Sequence, residues 1–419
     1  MNKLTKALLS AVMLAGSAMS LAGCGSDAGA VYTPGTKVKV GLICLHNEAS
    51  TYDKNFIDAL DAAVKNLGDK VDQQTVIKTD VGENSECYDA ARELVKQGCN
   101  VIFADSFGHE EFMMKAAQKW QNVTFCHATG TKAKTANIPN YHNAFASIYE
   151  GRYLAGYAAG LKLKKAVENK TLSEKNYDTD GNIKLGYIGA FEYAEVISGY
   201  TSWYLGVKSV VSNVVMDVTF TKSWYSINDE EAGAKDLITR GAALISQHAD
   251  SMGAPGECEK QGVPNVSYNL ALNEDCPNTY VAMSKIDWAP YYENVVSSLY
   301  EGKSIAGEVD NNYTGTLKSG SVKYDVADST LKTEVDKVKA ELEAGTRKVF
   351  DCSTFTVKGE HLTSYKADVI DDGDFSHETE VIKTEGGKTF FDESSFRSAP
   401  YFDLSIDGIT KLNSGFPEE

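Results

Sequence analysis

Short apolar segments alternate with segments of helical period along most of this chain of 419 residues. An apolar run of about four to eight residues predicts a buried strand, and apolar residues three and four positions apart predict a helix. Two such series follow one another, the first over residues 38–127 and the second over residues 184–268. Strands that alternate with helices form a parallel sheet with helices on both faces. We therefore predict an α/β protein with two doubly wound, Rossmann-like lobes joined by a hinge.

The individual elements follow from the same patterns. Ser50 precedes Asp53 by three residues, which is typical of a capped helix start near Thr51, and Gly68 is placed to end that helix. A predicted helix over residues 149–166 separates the two series. Gly and Ala residues on one side of it leave a smooth surface for close packing. Beyond about residue 304 the pattern weakens, apart from a helix near residues 333–343. The predicted strands are 38–45, 75–79, 100–104, 123–127, 184–188, 214–220, 243–247 and 265–268, and the remaining predicted helices are 85–97, 110–120, 195–212, 229–239 and 255–261.

The order of the elements predicts where the lobes divide. We assign residues 37–148 and 273–310 to an N-terminal lobe, and residues 149–272 and 311–419 to a C-terminal lobe. Ligands of doubly wound sheets lie at the carboxyl ends of the strands. The cleft between the lobes, lined by loops that follow strands, is therefore the expected ligand site.

The first residues have the pattern of a secretory signal. Lys3 and Lys6 precede a mostly apolar stretch over residues 7–21, and Leu-Ala-Gly-Cys follows, ending at Cys24. This ending resembles the bacterial lipobox, which implies a signal peptide over residues 1–23, acylation of Cys24, with palmitate or a similar chain, and an acylated tether over residues 24–36. We expect a lipid-anchored protein on the extracytoplasmic face of the cell membrane. The alternative is a secreted protein cut nearby, with Cys24 an incidental thiol.

Charge and motifs exclude several classes of function. The 41 Lys and Arg against 58 Asp and Glu give a formal charge of −17, and no basic run is interleaved with aromatic residues, so nucleic acid is not an expected partner. Nucleotide-loop, hydrolase and zinc-helix motifs do not occur, and we predict no cofactor, no metal centre and no enzymatic activity. The cysteines after Cys24 are expected to be small buried apolar residues, with Cys258 and Cys276 the first pair to examine for a disulfide.

Several short motifs, in order, resemble one family over roughly residues 37–350. It is the basic membrane protein (BMP) family of ABC-transporter substrate-binding lipoproteins, whose best-known members are purine-nucleoside receptors. The matching segments are Asp53-Lys54-Asn55-Phe56, Glu150-Gly151-Arg152-Tyr153-Leu154-Ala155-Gly156, residues 184–189, residues 199–206, Ser223-Trp224-Tyr225, residues 247–251 and residues 287–292. In the second of these the family has Ser where this chain has Arg152.

The resemblance implies a type I periplasmic-binding-protein fold that closes on a purine nucleoside or nucleobase. The ligand would pass to an ABC permease in the membrane. We expect such a receptor to act as a monomer with no chemistry of its own.

The resemblance also implies two aromatic side chains that sandwich the purine, Phe56 from one lobe and Trp224 from the other. A flat purine needs aromatic faces on which to stack. Phe56 also begins the apolar stripe of its own helix, so a core position is the alternative for it. Trp224 lies in a loop, where no helical period explains a large aromatic side chain. Tyr225 lies beside Trp224, and Phe107 and Phe191, which follow strands, are candidate walls of the cleft.

Five polar residues complete the candidate site. Asp250 and Ser251 follow a buried strand directly, and Asp53 is either a ligand contact or a helix cap. Asn269 occupies a position where the family commonly has an aspartate that binds ribose hydroxyls, and Lys285 matches a family lysine near the sugar. Because an amide replaces that carboxylate, bidentate binding of a ribose is weakened. The replacement therefore favours a free base or another nucleoside-like ligand.

Two other functions remain open on the sequence alone. The same fold can bind a sugar or another small polar ligand, and sugar sites also use aromatic stacking. A hydrolase acting on nucleosides, with Asp53 or Asp250 as the base, is the enzymatic alternative.

Overall fold

The computed structural model describes residues 31–370 and 378–414. Cys24 and the signal segment lie outside the described residues. Two seven-stranded sheets, each covered by helices, dominate the structure. The strands are β1 (Val40–Ile43), β2 (Val76–Lys78), β3 (Val101–Ala104), β4 (Thr124–Ala128), β5 (Tyr141–Ala146), β6 (Ile183–Gly189), β7 (Val214–Phe220), β8 (Ile245–His248), β9 (Asn265–Tyr268), β10 (Tyr280–Ile286), β11 (Glu308–Val309), β12 (Asn312–Gly315), β13 (Val322–Val326), β14 (Lys366–Asp368), β15 (Glu378–Glu380), β16 (Ile382–Glu385), β17 (Lys388–Phe391) and β18 (Ile409–Lys411).

The helices alternate with the strands in both lobes. They are α1 (Thr51–Leu67), α2 (Ser85–Lys96), α3 (Glu110–Lys119), α4 (Ala133–Ala136), α5 (Ile148–Glu168), α6 (Ala194–Lys208), α7 (Ile227–Thr239), α8 (Gly253–Gln261), α9 (Ala289–Glu301) and α10 (Ser329–Glu343). In the described ranges no helix combines the length and the apolar character that crossing a bilayer would require.

Sheet order confirms two doubly wound lobes. The first sheet runs β11-β12-β5-β4-β3-β1-β2, and the second runs β13-β10-β9-β8-β6-β7-β18. All neighbours pair in parallel except β11 with β12 and β10 with β13. The carboxyl ends of the central strands of both sheets face the space between the lobes, which is where a ligand cleft is expected.

The chain crosses between the sheets three times, and two crossings differ from the predicted boundaries. β10 pairs with β9 in the second sheet, although residues 273–310 were assigned to the first lobe. β12 pairs with β5 in the first sheet, although residues 311–419 were assigned to the second. An apolar strand has the same local pattern in either sheet. The partner of β12 lies far away in sequence, whereas β10 pairs with β9, the strand directly before it. Local pattern therefore does not indicate which sheet a strand joins.

Glycines let α5 and α6 pack with their backbones in contact. A Cβ at Gly156 of α5 would lie 2.1 Å from the carbonyl oxygen of Trp203, and a Cβ at Gly206 of α6 would lie 2.3 Å from that of Tyr153. This is the smooth helix side predicted from the Gly and Ala residues of α5. Since α5 begins just after the first crossing, the contact joins the hinge to the body of the second lobe.

The weakly patterned C-terminal part of the chain has an aromatic cluster of its own. The Phe350 and Phe402 rings stack with centroids 4.2 Å apart, and Phe391 packs 4.7 Å from Phe402. Two small hairpins, β14-β15 and β16-β17, precede β18, which joins the edge of the second sheet. This segment therefore folds onto the second lobe instead of forming a free tail.

The close helix contact yields a stability prediction. Gly156→Ala should lower the free energy of unfolding by roughly 1–3 kcal/mol, because the new Cβ meets backbone that cannot rotate away. Gly256→Ala in α8 is the matched control, since its Cβ would meet nothing within 4 Å and alanine favours helix. Urea denaturation measures both. Equal stability of the two variants would show that the α5 and α6 backbones are not in contact.

Candidate functional site

A cavity of about 380 Å³, including its mouth, lies between the lobes at the strand ends. The first lobe contributes residues that follow β1, β3 and β4 or begin α1, and the second lobe contributes residues that follow β7 and β8, end β9 or begin α6. The second-lobe residues are Glu195, Trp224, His248, Asp250 and Tyr268.

Two buried carboxyl groups, Asp53 and Asp105, form the first-lobe side. The His46 backbone N–H donates to Asp53 Oδ1 at 2.8 Å, and the Leu45 N–H donates to Asp105 Oδ1 at 3.1 Å. Burial raises the pKa of Asp105 well above its usual range, and the nearby charge of Asp53 adds to this. Burial also acts on Asp53, but hydrogen bonds from His46 and Ser50 outweigh it and lower the pKa. The two pKa values therefore shift in opposite directions, which favours the ionised form of Asp53 and the neutral form of Asp105.

Cys44 lies beside this pair, and these three residues form the group of described side chains whose ligand atoms are near enough for a metal ion, within 4.8 Å of one another. Metal binding needs deprotonated ligands. Burial raises the pKa of the Cys44 thiol well above its usual range, and the charge of Asp105 adds to this. Hydrogen bonding between thiol and carboxyl groups fits these protonation states better than coordination does.

Trp224 is held in the loop between β7 and α7 by aromatic neighbours. The Phe191 ring lies 5.2 Å from the Trp224 ring and the Tyr193 ring 6.2 Å from it, both from the loop after β6. The Asp250 backbone N–H donates to the Trp224 carbonyl oxygen at 2.9 Å. The half-buried indole is thereby fixed to two neighbouring loops while it lines the cavity.

The floor of the second lobe is a buried polar cluster around Arg152. Its guanidinium lies 3.6 Å from the Tyr268 ring centroid, and Nη1 donates to the Gln247 carbonyl oxygen at 2.8 Å. Glu195 lies 3.3 Å from His248 Nε2. Burial raises the pKa of Glu195 to about 7, against the attraction of Arg152. Burial, with repulsion from Arg152, lowers the pKa of His248 well below its usual value.

Asp250 connects this cluster to the first lobe. Its carbonyl oxygen accepts a hydrogen bond from the Thr51 N–H of α1 at 2.9 Å. Burial raises the pKa of its carboxyl well above the usual range, and the charges of Asp53 and Glu230 add to the shift.

Two aromatic contacts also cross the cleft. Phe107 stacks on Tyr193 at 5.4 Å, and His46 lies 5.6 Å from Tyr225. The structure is therefore a closed arrangement of the lobes.

The structure brings only part of the predicted site together. Asp53, Asp250, Trp224 and Phe107 line the cavity. Phe191 lies behind Trp224, and Tyr225 contacts His46 across the cleft, outside the lining.

Phe56 lies outside the cavity lining. It is 2% exposed and stacks on Trp288 with centroids 4.4 Å apart, the core position that was the alternative for it. Phe56 lies three positions after the cavity residue Asp53 on α1. Its side chain points away from the cavity, toward Trp288 at the start of α9. Tyr52, one position before Asp53, lines the cavity together with the first-lobe residue Phe107.

Three predicted polar residues also lie outside the lining. Ser251 Oγ accepts a hydrogen bond from the Gly253 N–H at 3.0 Å, at the first residue of α8. Asn269 is buried with φ of 68°, and its N–H donates to the Ser284 carbonyl oxygen. Lys285 is half-buried on β10, opposite Lys323 of β13. Cys258 and Cys276 are both buried free thiols.

Sequence reasoning missed several lining residues. Asp105 and Ser106 follow β3 directly, which is the same signal that identified Asp250. Glu195, His248 and Tyr268 sit at a helix start and at strand ends, and only the folded second lobe groups them. Arg152 was visible as a charged residue among the small residues of α5, where the resembling family has serine.

Fold and site together define a two-lobed solute-binding protein. The family model described as ABC transporter substrate-binding protein PnrA-like matches residues 39–349, and the chain belongs to this family. A purine-binding protein of Brucella abortus is 30% identical over 311 residues, which are 74% of this chain and 80% of that protein. A putative ABC transporter glucose-binding protein of Haloferax volcanii is 28% identical over 261 residues, 60% of each chain.

Solved structures agree on the fold. A solute-binding protein of an ABC transporter from Conexibacter woesei superposes with a TM-score of 0.56 at 17% identity, covering 74% of this chain and 98% of that one. One from Aeropyrum pernix gives 0.58 at 14% identity, covering 77% and 94%.

The buried Glu195 generates a pH prediction. Its pKa of about 7 in the folded protein exceeds the ordinary value of 4.5, so the folded state binds the proton more tightly, and stability falls as pH rises from about 4.5 to about 7. Glu195→Gln should remove this loss, raising the melting temperature relative to the parent at pH 8 but not at pH 4.5. Glu274→Gln, at an exposed position, is the control. An unchanged difference between the parent and Glu195→Gln across pH would contradict the assignment.

Proposed function

We propose that this protein captures a purine base or nucleoside in the interlobe cavity as the binding component of an ABC importer. It delivers the ligand to the membrane permease from the extracytoplasmic face, held there by a lipid on Cys24. The observation that carries the proposal is the pairing of an aromatic face, Trp224, with buried hydrogen-bonding groups in one closed cavity. Membership of the family and the 30% identity to a purine-binding protein support it.

The chemistry of the cavity suits a flat heterocycle with polar edges. Stacking on an aromatic side chain contributes roughly 1–3 kcal/mol per base. Asp105 Oδ2 and the Tyr268 hydroxyl are buried without a hydrogen-bond partner. Buried polar groups are normally paired, so these atoms are suited to the ring nitrogens and amino groups of a purine.

The protonation states favour binding over hydrolysis. Burial raises the pKa of Asp250, one of the two candidate bases, well above its usual range, which favours its neutral form. The Asp53 carboxylate accepts a hydrogen bond from the His46 backbone N–H, and hydrogen bonds from His46 and Ser50 lower its pKa. A general base needs a free lone pair and a pKa near the working pH.

A sugar is the second candidate ligand. The Haloferax volcanii relative is named a putative glucose-binding protein, and carboxyl groups beside an indole also suit hydroxyl-rich rings. Calorimetry with adenine, hypoxanthine, adenosine, inosine and glucose separates the two. Tight binding of glucose with no binding of any purine would overturn the purine proposal.

Trp224→Ala should weaken purine binding about 5- to 150-fold, the equivalent of roughly 1–3 kcal/mol of lost stacking. Trp224→Phe keeps an aromatic face and should retain most of the affinity. Because the indole is half-buried in a loop, the melting temperature of the empty protein should change little. A large loss of stability with normal affinity per folded molecule would make Trp224 a packing residue.

Cys24→Ser tests the anchor. The variant should leave the membrane fraction and appear in the medium, because acyl chains contribute about 0.8 kcal/mol per buried methylene to membrane attachment. Fractionation with an antibody against the folded lobes measures this. Retention of the variant in the membrane fraction would contradict lipid anchoring at Cys24.

A further inference from the structure

The family match ends at residue 349, yet the chain returns to the ligand-binding lobe much later, at β18. β18 pairs in parallel with β7, with Ile409 opposite Met216 and Lys411 opposite Val218. The Leu412 N–H continues the ladder with a bond of 2.8 Å to the Val218 carbonyl oxygen. β7 is the strand whose following loop carries Trp224. The C-terminal strand thus covers the edge of the element that leads into the site.

Asn413 extends this pairing to the last residue of β7. Its Oδ1 accepts from the Phe220 N–H at 2.8 Å, and its Nδ2 donates to the Phe220 carbonyl oxygen at 2.8 Å. The side-chain amide therefore bonds both backbone groups of Phe220, as a neighbouring strand would do. Trp224 follows four residues later. The bonds fix the point from which the Trp224 loop leaves the sheet.

Lys411 reaches the second loop of this region. Its Nζ forms an ion pair with Glu192, in the loop after β6 whose aromatic residues Phe191 and Tyr193 pack on Trp224. One short C-terminal segment, residues 411–413, thus contacts the bases of both loops that hold the indole.

Backbone hydrogen bonds connect these bases to the cavity. The Thr221 N–H donates to the Gly189 carbonyl oxygen and the Lys222 N–H to that of Ala190, each at 2.9 Å. The Trp224 carbonyl oxygen then accepts from Asp250. A displacement at Phe220 is therefore transmitted to Trp224 and to Asp250 through a short series of bonds.

We infer that Asn413 and Lys411 are positioning residues of the ligand site, and that the cleft of this chain is incomplete without its C-terminal strand. The role in affinity rests on the proposed function, whereas the role in ordering the Trp224 loop does not. Neither residue touches the cavity. They act through Phe220 and Glu192.

Asn413→Ala is the test variant, and hydrogen exchange and adenine binding are the two readouts. The amides of Thr221, Lys222 and Asp250 should exchange faster without ligand. Adenine affinity should fall roughly 3- to 30-fold, a part of the roughly 5- to 150-fold that two lost hydrogen bonds represent, because the bonds act on the site only through the loop. Asn413→Asp keeps the acceptor and should give an intermediate loss. Lys411→Met should loosen the loop after β6.

Asn213→Ala is the matched control, because Asn213 lies beside the opposite end of β7 and its Nδ2 donates to the Gly181 carbonyl oxygen at 3.1 Å. It should leave both readouts unchanged. Unchanged exchange in the loop of Asn413→Ala, or faster exchange with unchanged adenine affinity, would overturn the inference. If the parent protein binds no purine, the proposed function fails, and the exchange data alone decide whether the segment positions the loop. If Asn413→Ala does not fold, Lys411→Met and Asn413→Asp provide the same comparison.

Discussion

Carboxyl groups from two lobes meet across one small cavity, and this crowding governs the rest of the site. Asp53 and Asp105 approach from the first lobe, and Asp250 and Glu195 from the second. In a region of low dielectric such groups cannot all be ionised, so some take protons and others require hydrogen-bond donors. Groups that water would satisfy at an exposed position here depend on hydrogen-bond donors from the protein or from a bound molecule.

The chain passes between the two lobes three times, so the lobes are connected at three places. Each lobe is built from segments distant in sequence, and three connecting segments join the two lobes. The α5 helix begins at the first crossing and packs backbone to backbone on α6, which itself begins with the Glu195 turn. The helix that presents Glu195 is therefore packed directly on the helix that follows the first crossing.

Local pattern predicted much of this architecture, and its failures have physical reasons. Strands and helices with clear period lie within a few residues of their expected bounds, and Trp224 was identifiable because no period explains a loop tryptophan. The prediction that Phe56 lines the cavity was wrong. Motif similarity gives the position of Phe56 along α1 but not the direction of its side chain, which packs on Trp288. The edge pairing of β18 could not be predicted, because a strand of three residues carries too little pattern and its partner is about 190 residues away.

The charge of the site restricts the class of ligand that it can hold. Burial raises the pKa values of Asp105 and Asp250 and so favours their neutral forms, and Arg152 beneath Tyr268 offsets Glu195. Among the described lining residues there is no Lys or Arg to receive a phosphate, so a phosphorylated nucleotide would bring its charge toward Asp53 without compensation. A neutral ring with donors on its edge meets no such cost. Arg152 therefore keeps an acid-rich cavity suited to neutral ligands, even though it lies outside the lining.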